Sequence, residues 1–279
     1  MRKYLGKIGF ILPILITAIF TIFMAQLCLF SFNSEELRLP LPSGEGISTI
    51  IANLFLFVST AVVAISLILL SKKLKRDFAP NIFITIYLIV GTVFVLLFGK
   101  QFFNIPANTI PIIYLIFGGL AYFGFYSIYL ILVDVLPERL KNFIFIVYSS
   151  IIGIYLGISF PTTSTIAVIL ALSFVDLFWV YHKLKNPVTN DPLEKFMVIV
   201  AYPNTTWGIG LGDLTCFAML TTCAFINFGV FTSLASIILI LLGSIYSMKS
   251  AEGQMYFPGL PLSTGLGIIP ILLQAVMIV

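Results

Sequence analysis

Long apolar stretches alternate with short polar segments along the whole chain. Nine of these stretches reach or approach the length that an α-helix needs to cross a membrane, about 20 residues. They cover roughly residues 9–31, 47–70, 80–99, 109–135, 142–160, 164–182, 208–229, 231–247 and 258–278. The pattern predicts an all-α polytopic membrane protein with about nine transmembrane helices.

The composition supports the same class of protein. Of the 279 residues, 60% are hydrophobic and only 9% are charged, which is too little polar surface to coat a water-soluble globule. We therefore expect a multi-pass protein of the cell membrane, surrounded by the lipid bilayer. It should form one membrane domain over residues 1–279, with helices one to five in 1–163. Helices six to nine should occupy 164–279, with a cytoplasmic loop at 183–207.

The positions of the basic residues predict the orientation, because Lys and Arg accumulate in the cytoplasmic loops of membrane proteins. If the N-terminus is cytoplasmic, 13 of the 15 basic residues lie on the cytoplasmic side. Only Arg38 and Lys100 then lie outside. Nine spans place the C-terminus outside.

Two acidic residues differ from the rest in their position. The chain has 11 acidic residues, and all except Asp176 and Asp213 lie in loops or at the ends of spans. An ionised side chain at the centre of a membrane helix costs on the order of 3 kcal/mol, so such residues usually serve a function and face protein or water. The sixth span runs inward and the seventh runs back outward. We therefore expect the two carboxyl groups to meet at one depth.

Two carboxyl groups in contact should share one proton over a wide pH range. The ionised member can take a proton from a water that attacks a peptide carbonyl, while the protonated member donates to the developing oxyanion. Either aspartate could hold the proton. This chemistry is that of an aspartyl protease, and it needs no metal ion and no other cofactor.

Three glycines precede Asp213, at positions 208, 210 and 212. They remove side-chain bulk where a second helix or a substrate backbone must come close. The spacing is not the G-x-G-x-x-G of a nucleotide-binding loop, no strand precedes it, and an acid would repel phosphate. A nucleotide site is therefore excluded, and no nucleic-acid partner is expected.

Three motifs and one aspartate together resemble the presenilin and signal peptide peptidase family. Residues 210–213 match its G-x-G-D motif on the seventh helix, and Asp176 lies where the family has an aspartate on the sixth. Residues 258–261 resemble the P-A-L motif that opens the ninth helix, and 191–198 resemble the segment after the sixth. The resemblance, most of all to archaeal members, implies a presenilin-like fold and a GxGD intramembrane aspartyl protease.

The resemblance also implies roles for individual residues. Asp176 and Asp213 would be the catalytic pair. Residues that bind substrate or shape the site would be Gly210, Leu211, Gly212, Pro258, Gly259, Leu260, Pro261, Val198, Ile199 and Val200. The chain departs from the family pattern in having Val175 where a Tyr is usual, Gly259 in place of Ala, and a short loop at 183–207.

The expected substrates are transmembrane helices of other proteins, and no accessory subunit is expected to be required. A helical substrate hides its scissile carbonyls in its own hydrogen bonds, so it must unwind locally. The β-prone string at residues 196–202 and the chain at 258–260 are expected to hold the opened substrate as an added strand. The predicted orientation favours substrates whose N-termini face outside.

Other functions remain as alternatives. An ion-coupled transporter or channel could use paired aspartates to carry protons or cations, but it predicts inverted repeats that the sequence lacks. A catalytically silent scaffold is a third alternative. Prepilin peptidases share the G-x-G-D motif, whereas membrane metalloproteases need an H-E-x-x-H pair and this chain has one histidine, His182. Pro258 and Pro261 could simply start a helix.

Overall fold

The structure is a computed structural model of the chain. It describes residues 2–31, 46–55, 79–102, 118–119, 122, 124–131, 133, 135–185, 209–250 and 258–278. Within these ranges every regular element is a helix, which confirms the predicted all-α class.

The described residues form nine helices. They are α1 (Arg2–Ser31), α2 (residues 47–55), α3 (Ala79–Phe102), α4 (residues 124–131), α5 (Glu138–Ser159), α6 (Thr162–Lys185), α7 (Leu211–Phe228), α8 (Val230–Ser250) and α9 (Leu260–Ile278). Each of the nine predicted spans overlaps one of them. Among the described helices, α1, α5, α7, α8 and α9 are long and apolar enough to cross a membrane. The protein is a multi-pass membrane protein, while the side on which each terminus lies stays a prediction.

Short links join the helices that surround the site. Only Phe160 and Pro161 separate α5 from α6, and Pro161 lacks the N–H that would continue a helix. One residue, Gly229, separates α7 from α8, and its φ of 87° lies in the region that favours glycine. These links place the end of α5 beside the start of α6, and the end of α7 beside the start of α8.

Helix α7 lies at the centre of the described bundle and contacts α1, α5, α6, α8 and α9. Two glycines of α5, one turn apart, allow the closest approach. A Cβ at Gly153 would lie 2.5 Å from the carbonyl oxygen of Thr215, and one at Gly157 would lie 2.6 Å from that of Met219. Small residues at this spacing let membrane helices pack backbone to backbone. The position of α7, and of Asp213 on it, is therefore set against α5.

A second contact of α5 is with α3. The ring of Tyr148 lies against Gly91, where any Cβ would overlap it, and its hydroxyl is 3.0 Å from Thr92 Oγ1. The rings of Phe94 and Tyr155 stack with their centroids 4.3 Å apart. Helix α3 is thus fixed against α5 along residues 91–94.

Candidate active site

Asp213 lies in the first turn of α7, because this helix begins at Leu211 rather than near residue 208 as the apolar pattern suggests. Gly210 precedes the helix in an extended conformation, with φ −65° and ψ 146°. Glycine is a poor helix former, which explains the late start in this glycine-rich stretch. The first turn of a helix has free N–H groups and a positive dipole end, so it favours a negatively charged side chain.

The carboxyl group of Asp213 folds back over the start of its own helix. A Cβ at Gly210 would lie 3.5 Å from Asp213 Oδ2, and the backbone of Gly210 interacts with this carboxyl group. An acidic side chain at the third helical position that reaches back to the residue before the helix is a recognised N-terminal capping arrangement. Local structure alone thus holds the carboxyl group at the entrance of α7.

Asp176 lies in the C-terminal half of α6 and binds the start of α9. Its Oδ2 accepts a hydrogen bond of 3.2 Å from the backbone N–H of Leu260. Leu260 is the first residue of α9, so its N–H has no acceptor within that helix. Asp176 supplies the missing acceptor and so caps the start of α9.

A second polar contact holds α6 and α9 in register. The hydroxyl groups of Ser173 and Thr264 lie 2.8 Å apart, each about one turn from the Asp176–Leu260 hydrogen bond. Both side chains are buried, so this bond is made away from lipid. The two contacts together fix the height of Asp176 relative to the start of α9.

The segment before α9 brings the two acids together. Gly259 lies beside Asp213, since a Cβ built on it would be 3.7 Å from Asp213 Oδ2, and the next residue binds Asp176. The charges of Asp176 and Asp213 are close enough to interact. Gly259 and Leu260 therefore lie against the two carboxyl groups, which come from two different helices.

Pro258 and Gly259 precede α9, and Pro261 lies in its first turn, where a missing N–H removes no intrahelical hydrogen bond. The simpler expectation, that these prolines start a helix, is met. The same segment also contacts both acids. A Cβ at Gly259 makes only ordinary contact with Asp213. The Ala of the P-A-L motif would therefore fit here.

Gly212 and Leu211, the remaining residues of the G-x-G-D motif, lie in different surroundings. Gly212 is exposed, and a Cβ on it meets no described atom within 4 Å. No second helix of the described residues approaches Gly212. That these glycines admit a second helix or a substrate backbone stays a prediction. Leu211 is only 3% exposed and packs against α3 and α5 in a cluster with Leu88 and Phe145. It faces the core, and it can affect the site only through the position of α7.

Three of the predicted site residues cannot be placed relative to this geometry. Val198, Ile199 and Val200 lie outside the described residues, as does the rest of 186–208. Val175, where the resemblance expects a Tyr, is 62% exposed on α6.

Comparison with known proteins supports the fold. No family model matches the sequence, and no curated protein matches it. Two solved structures, both described as a presenilin family intramembrane aspartate protease, match nearly the whole chain. One has a TM-score of 0.67 at 16% identity and covers 98% of this chain and 99% of that one. The other has a TM-score of 0.65 at 15% identity and covers 96% and 97%. The presenilin-like fold implied by the motifs is therefore confirmed.

Proposed function

We propose that this protein is an intramembrane aspartyl protease that hydrolyses peptide bonds in transmembrane segments, with Asp176 and Asp213 as its catalytic pair. The observation that carries this proposal is that the two carboxyl groups come together beside Gly259 and Leu260. Two acids brought to one place from separate membrane helices cost free energy, and acids in such positions usually serve a function. The fold of the protein, shared with intramembrane aspartate proteases, supports the same activity.

The proposed reaction needs one proton shared by the two carboxyl groups. The ionised member takes a proton from water, whose oxygen bonds to the scissile carbonyl carbon, and the protonated member donates to the carbonyl oxygen. The tetrahedral intermediate then collapses, the C–N bond breaks, and the amine leaves with a proton from the pair. The products are a new carboxyl terminus and a new amino terminus.

The substrate in this proposal is a transmembrane helix that unwinds at the site. The open side of Gly212, next to Asp213, leaves room for an extended backbone. We further propose that residues 196–202 and 258–260 pair with that backbone as neighbouring strands. Single-span proteins with their N-termini outside would be preferred, and the chain would act as one membrane domain without accessory subunits.

The test is cleavage by the purified chain in lipid vesicles. A single-span substrate with a fluorescent label is incubated in isotopically labelled water, and the products are analysed by mass spectrometry. We expect one cut within the apolar segment, with one labelled oxygen in the new carboxyl terminus. Deletion of residues 196–202 should abolish the cut, and undiminished cleavage would exclude their proposed role. Proton or cation flux through the vesicles without cleavage of any substrate would favour the transporter alternative instead.

A further inference from the structure

The phenol of Tyr87 on α3 joins three helices just behind Asp213. Its hydroxyl donates a hydrogen bond of 2.8 Å to Ser149 Oγ on α5 and can accept one from Thr215 Oγ1 on α7, 2.9 Å away. The Thr215 hydroxyl is also 2.9 Å from the carbonyl oxygen of Leu211, its alternative acceptor. Ser149 in turn is bonded to the carbonyl of Phe145 at 2.7 Å. Of the hydrogen bonds described above, this is the one that links α3 directly to the helix that carries Asp213.

The helical geometry gives this contact its significance. Thr215 follows Asp213 by two residues, so the two side chains leave α7 about 200° apart. Leu211, which precedes Asp213 by two residues, leaves on the same side as Thr215 and is buried against α3 and α5. One face of the first turn therefore presents the carboxyl group, while the opposite face is fixed to α3 and α5.

Apolar packing and hydrogen bonding restrict different motions of this turn. The buried side chain of Leu211 sets the distance of α7 from α3, but an apolar contact has no preferred direction. The Tyr87–Thr215 hydrogen bond is directional, and its strength falls as α7 rotates about its axis. The rotation of α7 is the motion that would swing Asp213 away from Gly259.

We propose that Tyr87 is a positioning residue for Asp213, which holds the first turn of α7 in the rotation at which the two acids meet. The proposal rests on the proposed protease function for its kinetic effect. The role is distinct from that of the catalytic pair, because Tyr87 acts through Thr215 on the face of α7 opposite Asp213.

The chain contains a matched control for Tyr87. Tyr148 also places its hydroxyl between α3 and α5, 3.0 Å from Thr92 Oγ1, but that bond has no partner on α7. Tyr148→Phe and Tyr87→Phe each remove one phenolic oxygen and leave the ring in place. A general loss of α3–α5 stability would therefore follow from both changes, whereas a loss of Asp213 positioning would follow from Tyr87→Phe alone.

In the cleavage assay we expect Tyr87→Phe to lower kcat about tenfold, as the loss of a partly buried hydrogen bond that maintains the reactive geometry would do. KM should stay within about twofold, because the substrate still binds. Thr215→Val should lower kcat to a similar extent. Thr215→Ser keeps the hydroxyl group and should cleave at the native rate. The Tyr87→Phe and Thr215→Val double variant should be no slower than either single variant, since both remove the same bond. Tyr148→Phe should leave kcat unchanged.

Equal losses of kcat in Tyr87→Phe and Tyr148→Phe, or additive losses in the double variant, would overturn the proposal. A second readout is independent of catalysis. In a chain whose three native cysteines are replaced by alanine, Asp176→Cys and Asp213→Cys permit cross-linking between α6 and α7. Tyr87→Phe should lower the cross-linking yield and Tyr148→Phe should not. If the native chain cleaves nothing, the proposed function fails, whereas an unchanged cross-linking yield shows that the positioning role fails.

Discussion

Replacement of Asp176 or Asp213 by Asn is expected to lower the rate of substrate cleavage about a thousandfold or more, while the bundle stays folded. An amide has nearly the same shape as a carboxyl group but cannot take a proton from water or share one with its neighbour. In the Asp176→Asn variant the amide oxygen can still accept the hydrogen bond from Leu260 N–H, so the start of α9 keeps its acceptor. The change therefore separates the chemical role of Asp176 from its structural role.

The measurement is kcat for a single-span substrate, together with the thermal unfolding midpoint of each variant. Glu138→Gln is the matched control, because Glu138 is also an acid in the first turn of a helix, α5, but takes no part in the described site. We expect Glu138→Gln to cleave at the native rate. Cleavage at the native rate by either Asp variant would show that the pair is a structural contact between α6, α7 and α9.

The second large effect is expected at the contact between α5 and α7. Gly153→Ala puts a methyl group 2.5 Å from the carbonyl oxygen of Thr215, and Gly157→Ala puts one 2.6 Å from that of Met219. Neither neighbour is a flexible side-chain end, so α5 has to move away from α7. Overpacking of this kind typically costs about 1–3 kcal/mol, and the double variant should lose more than either single variant. Cleavage should fall as well, because separation of α5 from α7 also changes the position of Asp213 on α7.

Gly265→Ala is the control for this prediction. Gly265 lies within α9, and a Cβ on it meets no described atom within 4 Å. The same change of residue should therefore leave the thermal unfolding midpoint unchanged or raise it slightly, since Ala favours a helix more than Gly does. If Gly153→Ala proved as stable as Gly265→Ala, the backbone packing described for α5 and α7 would be incorrect.

The sequence was sufficient to predict the class of fold and to single out two acids that the structure brings close together. Apolar runs about the length of a bilayer leave few alternatives to transmembrane helices, because lipid offers no partners for free backbone groups. The same physics made Asp176 and Asp213 conspicuous, since a buried membrane carboxyl is costly. The presenilin-like fold then followed from the order of three motifs, and the solved structures confirm it.

The sequence was not sufficient to predict how the helices contact one another. Gly153 and Gly157 have the spacing of a small-residue packing motif, but the sequence does not say which helix they meet. The glycines next to Asp213 pointed to close helix packing, and the structure places that packing on α5 instead. The sequence could not assign Leu211 to the core, because it did not show at which residue α7 begins or which face of α7 contacts its neighbours.

The hydroxyl contacts were also beyond the sequence. Ser173 and Thr264 are 91 positions apart, and Tyr87 and Thr215 are 128 apart, yet each pair forms a hydrogen bond. Serine and threonine in membrane helices often bond only to their own backbone, so their presence alone does not predict a partner. Such contacts depend on the rotation of each helix, which is set by the packing of all its neighbours.

The central claim is that the carboxyl groups on α6 and α7 meet, and cross-linking tests it most directly. Asp176→Cys and Asp213→Cys are combined in the chain whose native cysteines are replaced by alanine, and a short bifunctional thiol reagent is added. Phe174→Cys with Asp213→Cys is the control pair, because Phe174 is 77% exposed and leaves α6 on the side away from Asp176. We expect an intramolecular link, identified by mass spectrometry, in the first pair and little or none in the control. No link in the first pair, although both thiols react with a permeable maleimide, would contradict the account.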